Sequence, residues 1–115
     1  MNDTVALLKD PGTIVAVVGA TDNPAKYGNI IYRDLRDKGI AVRAVNPDRD
    51  TVAGDPCWHS VADLPEPPTI VNIVVPPRRT LEILAECARF GLRTVWIQPG
   101  AADDEVRRFI AEHGF

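Results

Sequence analysis

A chain of 115 residues, 45% apolar and 25% charged, has the composition of one globular domain, long enough to bury a core and too short for separate catalytic and cofactor domains. Its formal net charge of −3 argues against a nucleic-acid binder, whose basic face would dominate the balance, but not against a small anionic ligand. No apolar stretch approaches the ~20 residues of a membrane span and Met1 to Pro11 lack the basic start of a signal peptide, so a cytoplasmic protein is expected.

At the N-terminus, Asp3 is placed to cap a short helix over Thr4 to Lys9, which Pro11-Gly12 ends. Thr13 to Val18 is β-branched apart from Ala16, the pattern of a strand buried on both faces. It stops at Gly19, where the missing Cβ permits a sharp turn, and a small polar loop runs to Gly28. Tyr27, Ile31 and Leu35 recur four apart, so a helix follows. A loop that delivers the chain from strand to helix N-terminus is a natural cradle for an anion, because the first helical N–H groups are unpaired and carry partial positive charge.

Gly39 ends that helix, Ile40 to Val45 forms the second strand, and Asn46-Pro47 closes it. Asp48 to Pro68 is rich in Pro, Asp and Gly, with a short third strand near Pro56 to Trp58 and a helical turn at Ser60 to Leu64. Thr69 to Val75 reads as a buried strand stopped by Pro76-Pro77. Leu81, Leu84, Ala85 and Ala88 then share one face of a helix that Gly91 ends. Leu92 to Ile97 is the fifth strand; Ala102, Val106, Phe109 and Ile110 line the last helix, with Asp103, Asp104 and Glu105 where its dipole favours acids.

Strands alternating with helices predict an α/β, Rossmann-like, doubly wound parallel sheet of order 3-2-1-4-5 with helices on both faces. Ligands of such sheets bind beyond the carboxyl ends of the strands, where the order reverses. The unusual segments Gly19 to Gly28, Asn46 to Arg49, Pro76 to Arg79 and Gln98 to Gly100 all fall at such ends and should ring one pocket.

The dinucleotide fingerprint Gly-x-Gly-x-x-Gly is absent, as is an acid at the end of the second strand for a ribose hydroxyl. The chain instead carries Gly19-Ala20-Thr21, Pro24-x-Lys26-x-Gly28, Asn46-Pro47, a Pro-Pro after the fourth strand, and Trp96-Ile97-Gln98-Pro99-Gly100. From about Thr13 onward this joint pattern resembles the small coenzyme A-binding proteins and the CoA-binding domain of the succinyl-CoA synthetase α-subunit. The resemblance implies that Gly19, Ala20 and Thr21 hold CoA phosphate, with Lys26 as counter-charge. It places Arg49, after Asn46 and Pro47, near the adenosine end, where it would pair with the 3′-phosphate. Val75 and Pro76 would wall the ligand, and Arg78 and Arg79 fall either at the pocket mouth or in a solvated first helical turn. That family usually closes with one more strand, which here could begin only at Phe115, so the single domain spanning 1–115 is expected to lack it.

Chemistry on CoA is not expected. Cys57 and Cys87 lack metal-ligand or redox spacing and read as packing residues, and His59 and His113 show no grouping with an activated nucleophile. In the ligases that this domain resembles, the phosphorylated histidine lies in further domains. The expectation is a stand-alone, non-catalytic module that binds CoA or an acyl-CoA, with no nucleic-acid or membrane partner. The alternatives are an NAD(P)-binding oxidoreductase fragment, or a CoA-binding subunit that docks onto a larger acyl-CoA ligase.

Overall fold

Strand β1 (Ile14–Val18) runs through the middle of a six-stranded sheet, and its Val15, Ala16 and Val17 are wholly buried. A β-branched strand shielded on both faces is what such a run favours. The computed structural model describes residues 12–92, 94–98 and 100–115. The helix expected over Thr4 to Lys9 lies outside them.

Helix α1 (Tyr27–Asp37) carries the chain from β1 to β2 (Ala41–Val45), which pairs parallel to β1 with Val15 opposite Val42 and Val18 opposite Val45. A hairpin follows, made of β3 (Thr51–Val52) and β4 (Asp55–Trp58). Ala53 and Gly54 make its turn, both at positive φ (51° and 82°), the backbone that matches the twist of a tight hairpin. β4 then lies parallel to β2.

After a single 3₁₀ turn at Val61–Asp63, β5 (Ile70–Ile73) returns to the other side of β1, with Val18 opposite Ile73. Helix α2 (Pro77–Arg89) opens on a proline, tolerated there because the first helical N–H has no partner to lose. It leads to β6 (Val95–Ile97), and α3 (Asp104–His113) follows, its first turn capped by Asp103, whose carboxylate accepts from Val106 N at 2.9 Å.

The sheet order is β3-β4-β2-β1-β5-β6. The parallel strands fall in the expected sequence, with the antiparallel β3 as an unforeseen edge. One core holds Ala16, Val18, Val71 and Ile73 of the sheet against Leu84 and Cys87 of α2 and Val106 of α3. The other holds Val15, Val17, Val42 and Ile70 against Tyr32 and Leu35 of α1. Helices therefore cover both faces, and both cysteines pack as expected, Cys87 wholly buried and Cys57 nearly so.

Candidate ligand-binding crevice at the switch point

β1 connects through α1 to the strand on one side of it, and β5 occupies the other side, so the order reverses between β1 and β5 and the connections part at their carboxyl ends. The chain leaves β1 at Gly19, whose φ of 103° suits glycine alone. Its N–H donates to Val45 O at 2.8 Å, and a Cβ there would lie 2.8 Å from Val74 Cγ2. The loop is thus pressed down between β2 and β5.

Two amides fix the next peptide groups. Asn46 Nδ2 donates to Ala20 O at 2.9 Å and Asn29 Nδ2 to Thr21 O at 3.0 Å. Thr21 Oγ1 accepts from Asn23 N at 3.3 Å, Asn23 Oδ1 from Ala25 N at 3.0 Å, and Asn23 O from Lys26 N at 3.1 Å. Lys26 is the extended N-cap residue of α1, and no side chain caps that end. The N-terminus of α1 keeps its positive end open on the crevice.

Cavities flank the loop on either side. Toward β2 and α2, one of about 210 Å³ has apolar walls of Val18, Val45, Pro47, Val61 and Ile83, with Arg79, His59 and Ser60 together with the carboxylates of Glu82 and Glu86 as its polar lining. Toward β6, one of about 320 Å³ lies between Lys26 and Tyr27 on one side and Val75, Pro76, Gln98 and Ala101 on the other. Both are small beside an extended ligand, which would have to lie along the rim and use them together.

The sequence-derived residues divide between these places. Gly19, Ala20, Thr21 and Asn46 build the central loop; Pro47 belongs to the first cavity; Lys26, Val75 and Pro76 line the second. Arg79 stands at the rim of the first cavity, and with Arg78 and Pro76 it also lines a larger hollow of about 740 Å³ by Asp103 and Glu105. Arg49 reaches back to the first loop, with Nη1 3.2 Å from Asp22 Oδ2.

That contact supplies what the sequence withheld. No acid follows the second strand directly, yet the Asp22 carboxylate from the β1 loop sits at the same corner, with Oδ1 accepting from Ala53 N at 2.7 Å. Arg49 and the hairpin turn occupy both of its oxygens. The sign of it in the sequence was an acid inside a loop otherwise built for an anion. His59 is likewise not isolated: its Nε2 lies 2.8 Å from Asp50 Oδ1, on the exposed surface.

Nucleophiles are poorly prepared. Burial pushes the Cys87 thiol up to about 11 and raises that of Cys57, whose Sγ lies 3.8 Å from Asn46 O beneath the second loop. Among the described residues, no group of three or more His, Cys, Asp or Glu is placed to hold a metal ion, and no helix is long and apolar enough to cross a membrane.

Known proteins resemble this chain in sequence and in fold. An ADP-forming acetate–CoA ligase of Archaeoglobus fulgidus is 40% identical over 76 residues, which cover 66% of this chain and 11% of the ligase. The chain therefore matches only a small part of that enzyme. A conserved hypothetical protein from Pyrococcus furiosus superposes with a TM-score of 0.82 at 44% identity, covering 89% of this chain and 87% of its own. The dinucleotide-forming acetyl-coenzyme A synthetase 1 of Candidatus Korarchaeum cryptofilum superposes with a TM-score of 0.77 at 27% identity, over 90% of this chain and 25% of the synthetase. With residues 13–115 matching the CoA binding domain family, the chain belongs to that family.

Proposed function

We propose that this protein binds coenzyme A or an acyl-CoA as a stand-alone, non-catalytic module in the cytoplasm. The observation that carries the reading is the Gly19–Lys26 loop, pinned by Val45 O, Asn46 and Asn29 and opening between two cavities at the switch point.

CoA is a linear molecule with phosphorylated adenosine, a pyrophosphate and a pantetheine arm. The rim offers matching chemistry in that order. Arg49, beside Asn46 and Pro47, suits the 3′-phosphate. Gly19, Ala20 and Thr21 at the start of the loop, with Lys26 at the end of α1, suit the pyrophosphate. Val75 and Pro76 give the arm an apolar wall. Lys26, Arg49 and Arg79 supply cations at the crevice, and the carboxylates of Glu82 and Glu86 lie on the α2 side of the first cavity, away from the loop offered to the pyrophosphate.

Calorimetric titration with CoA, acetyl-CoA and NAD tests the reading. CoA is expected to bind at micromolar strength and NAD barely, because the β2 corner presents the Arg49 guanidinium, paired with Asp22, which favours a ribose phosphate over a free diol. Equal affinity for CoA and NAD would overturn it in favour of an NAD(P)-binding fragment. The short match to a much longer ligase favours a second reading, in which the same site serves a larger acyl-CoA ligase as a docked subunit. Copurification with a synthetase chain would support that.

A further inference from the structure

We infer that Asp22 is a positioning residue that holds Arg49 for a phosphorylated ribose, and so sets the preference of this corner for ribose phosphate over a free ribose diol. The inference rests on the CoA reading above.

The geometry is a relay from backbone to cation. Ala53 N donates to Asp22 Oδ1 at 2.7 Å, which fixes the carboxylate on the hairpin turn, and Asp22 Oδ2 then takes Arg49 Nη1 at 3.2 Å. The turn is itself well defined, because Ala53 and Gly54 both adopt positive φ and β3 pairs with β4. Three segments distant in sequence, the β1 loop, the β2 loop and the hairpin, thereby meet at one side chain.

Energetics separate positioning from stabilisation. The side chains of Arg49 and Asp22 are 38% and 50% exposed, and pairs so open to water contribute little to folding. Their effect on orientation is larger. Arginine loses considerable rotamer freedom when it is fixed on a ligand, and a partner that fixes it beforehand removes that loss from binding. One Nη1 hydrogen is spent on Asp22, and the remaining donors of the planar fork are enough for a bidentate phosphate contact. The same pairing engages both carboxylate oxygens, so a ribose diol must share its acceptor with Arg49 and Ala53 N–H.

The test is a comparison of CoA with dephospho-CoA, which lacks only the 3′-phosphate, by calorimetric titration of the full chain and of Asp22→Asn, Asp22→Glu and Arg49→Ala. The amide introduced by Asp22→Asn keeps an oxygen for Ala53 N–H but can turn its own donors on the guanidinium, so the substitution releases Arg49 while retaining the hairpin anchor. The wild-type protein is expected to prefer CoA by more than about tenfold, the effect of a hydrogen bond to a charged group. Arg49→Ala should remove that preference, Asp22→Asn should cut it several-fold by weakening CoA alone, and Asp22→Glu should restore part of it.

If Asp22→Asn weakens both ligands equally, Asp22 merely holds the loop and the inference falls while the CoA reading stands. An unchanged preference in Asp22→Asn overturns it as well. Failure of the wild-type protein to bind either ligand overturns the CoA reading and this inference with it. Thermal unfolding of each variant guards against misfolding, and Asp22→Glu, which keeps the charge, carries the test if Asp22→Asn does not fold.

Discussion

Gly28 in the first turn of α1 lies directly against the backbone of Gly19: a Cβ on Gly28 would stand 2.1 Å from Gly19 O and 2.9 Å from Gly19 C. The helix can approach the end of β1 this closely only because Gly28 has no side chain; a Cβ on Gly19 would instead meet Val74 and Val75. Gly28, nine residues after Gly19, thus permits the close helix–strand approach that the last glycine of the dinucleotide fingerprint permits elsewhere.

Gly28→Ala is therefore expected to push α1 away from the β1 loop, since backbone rather than a flexible side chain is what the new methyl meets. The loss should be about 3 kcal/mol, at the upper end of the range for overpacked sites. Urea unfolding measures it, and a loss within about 0.5 kcal/mol, as at most surface positions, would mean that the helix start is not held this tightly.

The buried strands were legible because β-branched runs leave few alternatives, and β1, β2, β5 and β6 fall within the expected segments. Their ends were less so: β5 stops at Ile73, short of Val75, although Val74 N still donates to Val18 O at 3.0 Å. The β3 edge was not legible. A two-residue strand leaves no periodicity to read, whereas β4 lies where the short strand near Pro56 to Trp58 was expected, its proline tolerated near the sheet edge. The glycine loop and the apolar wall could be read from residue types at strand ends. The contacts of Asp22 with Arg49 and of His59 with Asp50 could not, because each depends on how loops fold back across the rim.

At the back of the hairpin, Tyr32 Oη donates to Asp55 Oδ2 at 2.7 Å and Arg36 Nη1 to the same oxygen at 3.1 Å. The tyrosine hydrogen bond, then that of the arginine, holds the Asp55 carboxyl below its ordinary value, while burial and Asp55 itself raise the Tyr32 phenol. A carboxyl depressed by folding adds stability above its unfolded value of about 3.9, and that contribution is lost as pH falls through the lower folded value. Tyr32→Phe should cost about 1 kcal/mol at neutral pH, below the usual ~1.5–3 kcal/mol for a charged hydrogen bond because Asp55 is partly exposed. The deficit should shrink below about pH 4; a deficit independent of pH in urea titrations at both acidities would assign the loss to packing alone.

Cys87 affects the opposite limb of the stability curve. Its thiol is wholly buried in α2 and raised to about 11, so the folded chain keeps a proton that the unfolded chain releases from about pH 8.5. The unfolded state then holds fewer protons than the native one, and stability should decline as pH rises from there toward 11. Cys87→Ala should flatten that decline. Ellman's reagent at mildly alkaline pH offers a direct check: both thiols should react quickly only in denaturant, and a rapid equivalent in the native protein would contradict their burial.

The isolated chain is expected to catalyse no turnover of acyl-CoA. His59 is the histidine that stands at a cavity rim, and its Nε2 is engaged with the Asp50 carboxylate at 2.8 Å. A carboxylate–imidazole pair needs a nucleophile on its other nitrogen to do acyl transfer. The described hydrogen bonds give His59 no such partner, and His113 stacks on Phe109 with ring centroids 3.8 Å apart, at the far end of α3. The thiol nearest the second loop, Cys57, is disfavoured as a thiolate by burial. Incubation with acetyl-CoA or succinyl-CoA, with and without ATP, while free thiol is followed, should show no release above the buffer rate. Release that disappears in His59→Ala would make the His59–Asp50 pair catalytic, release that disappears in Cys57→Ala would make that thiol so, and either would make the protein an enzyme rather than a binding module.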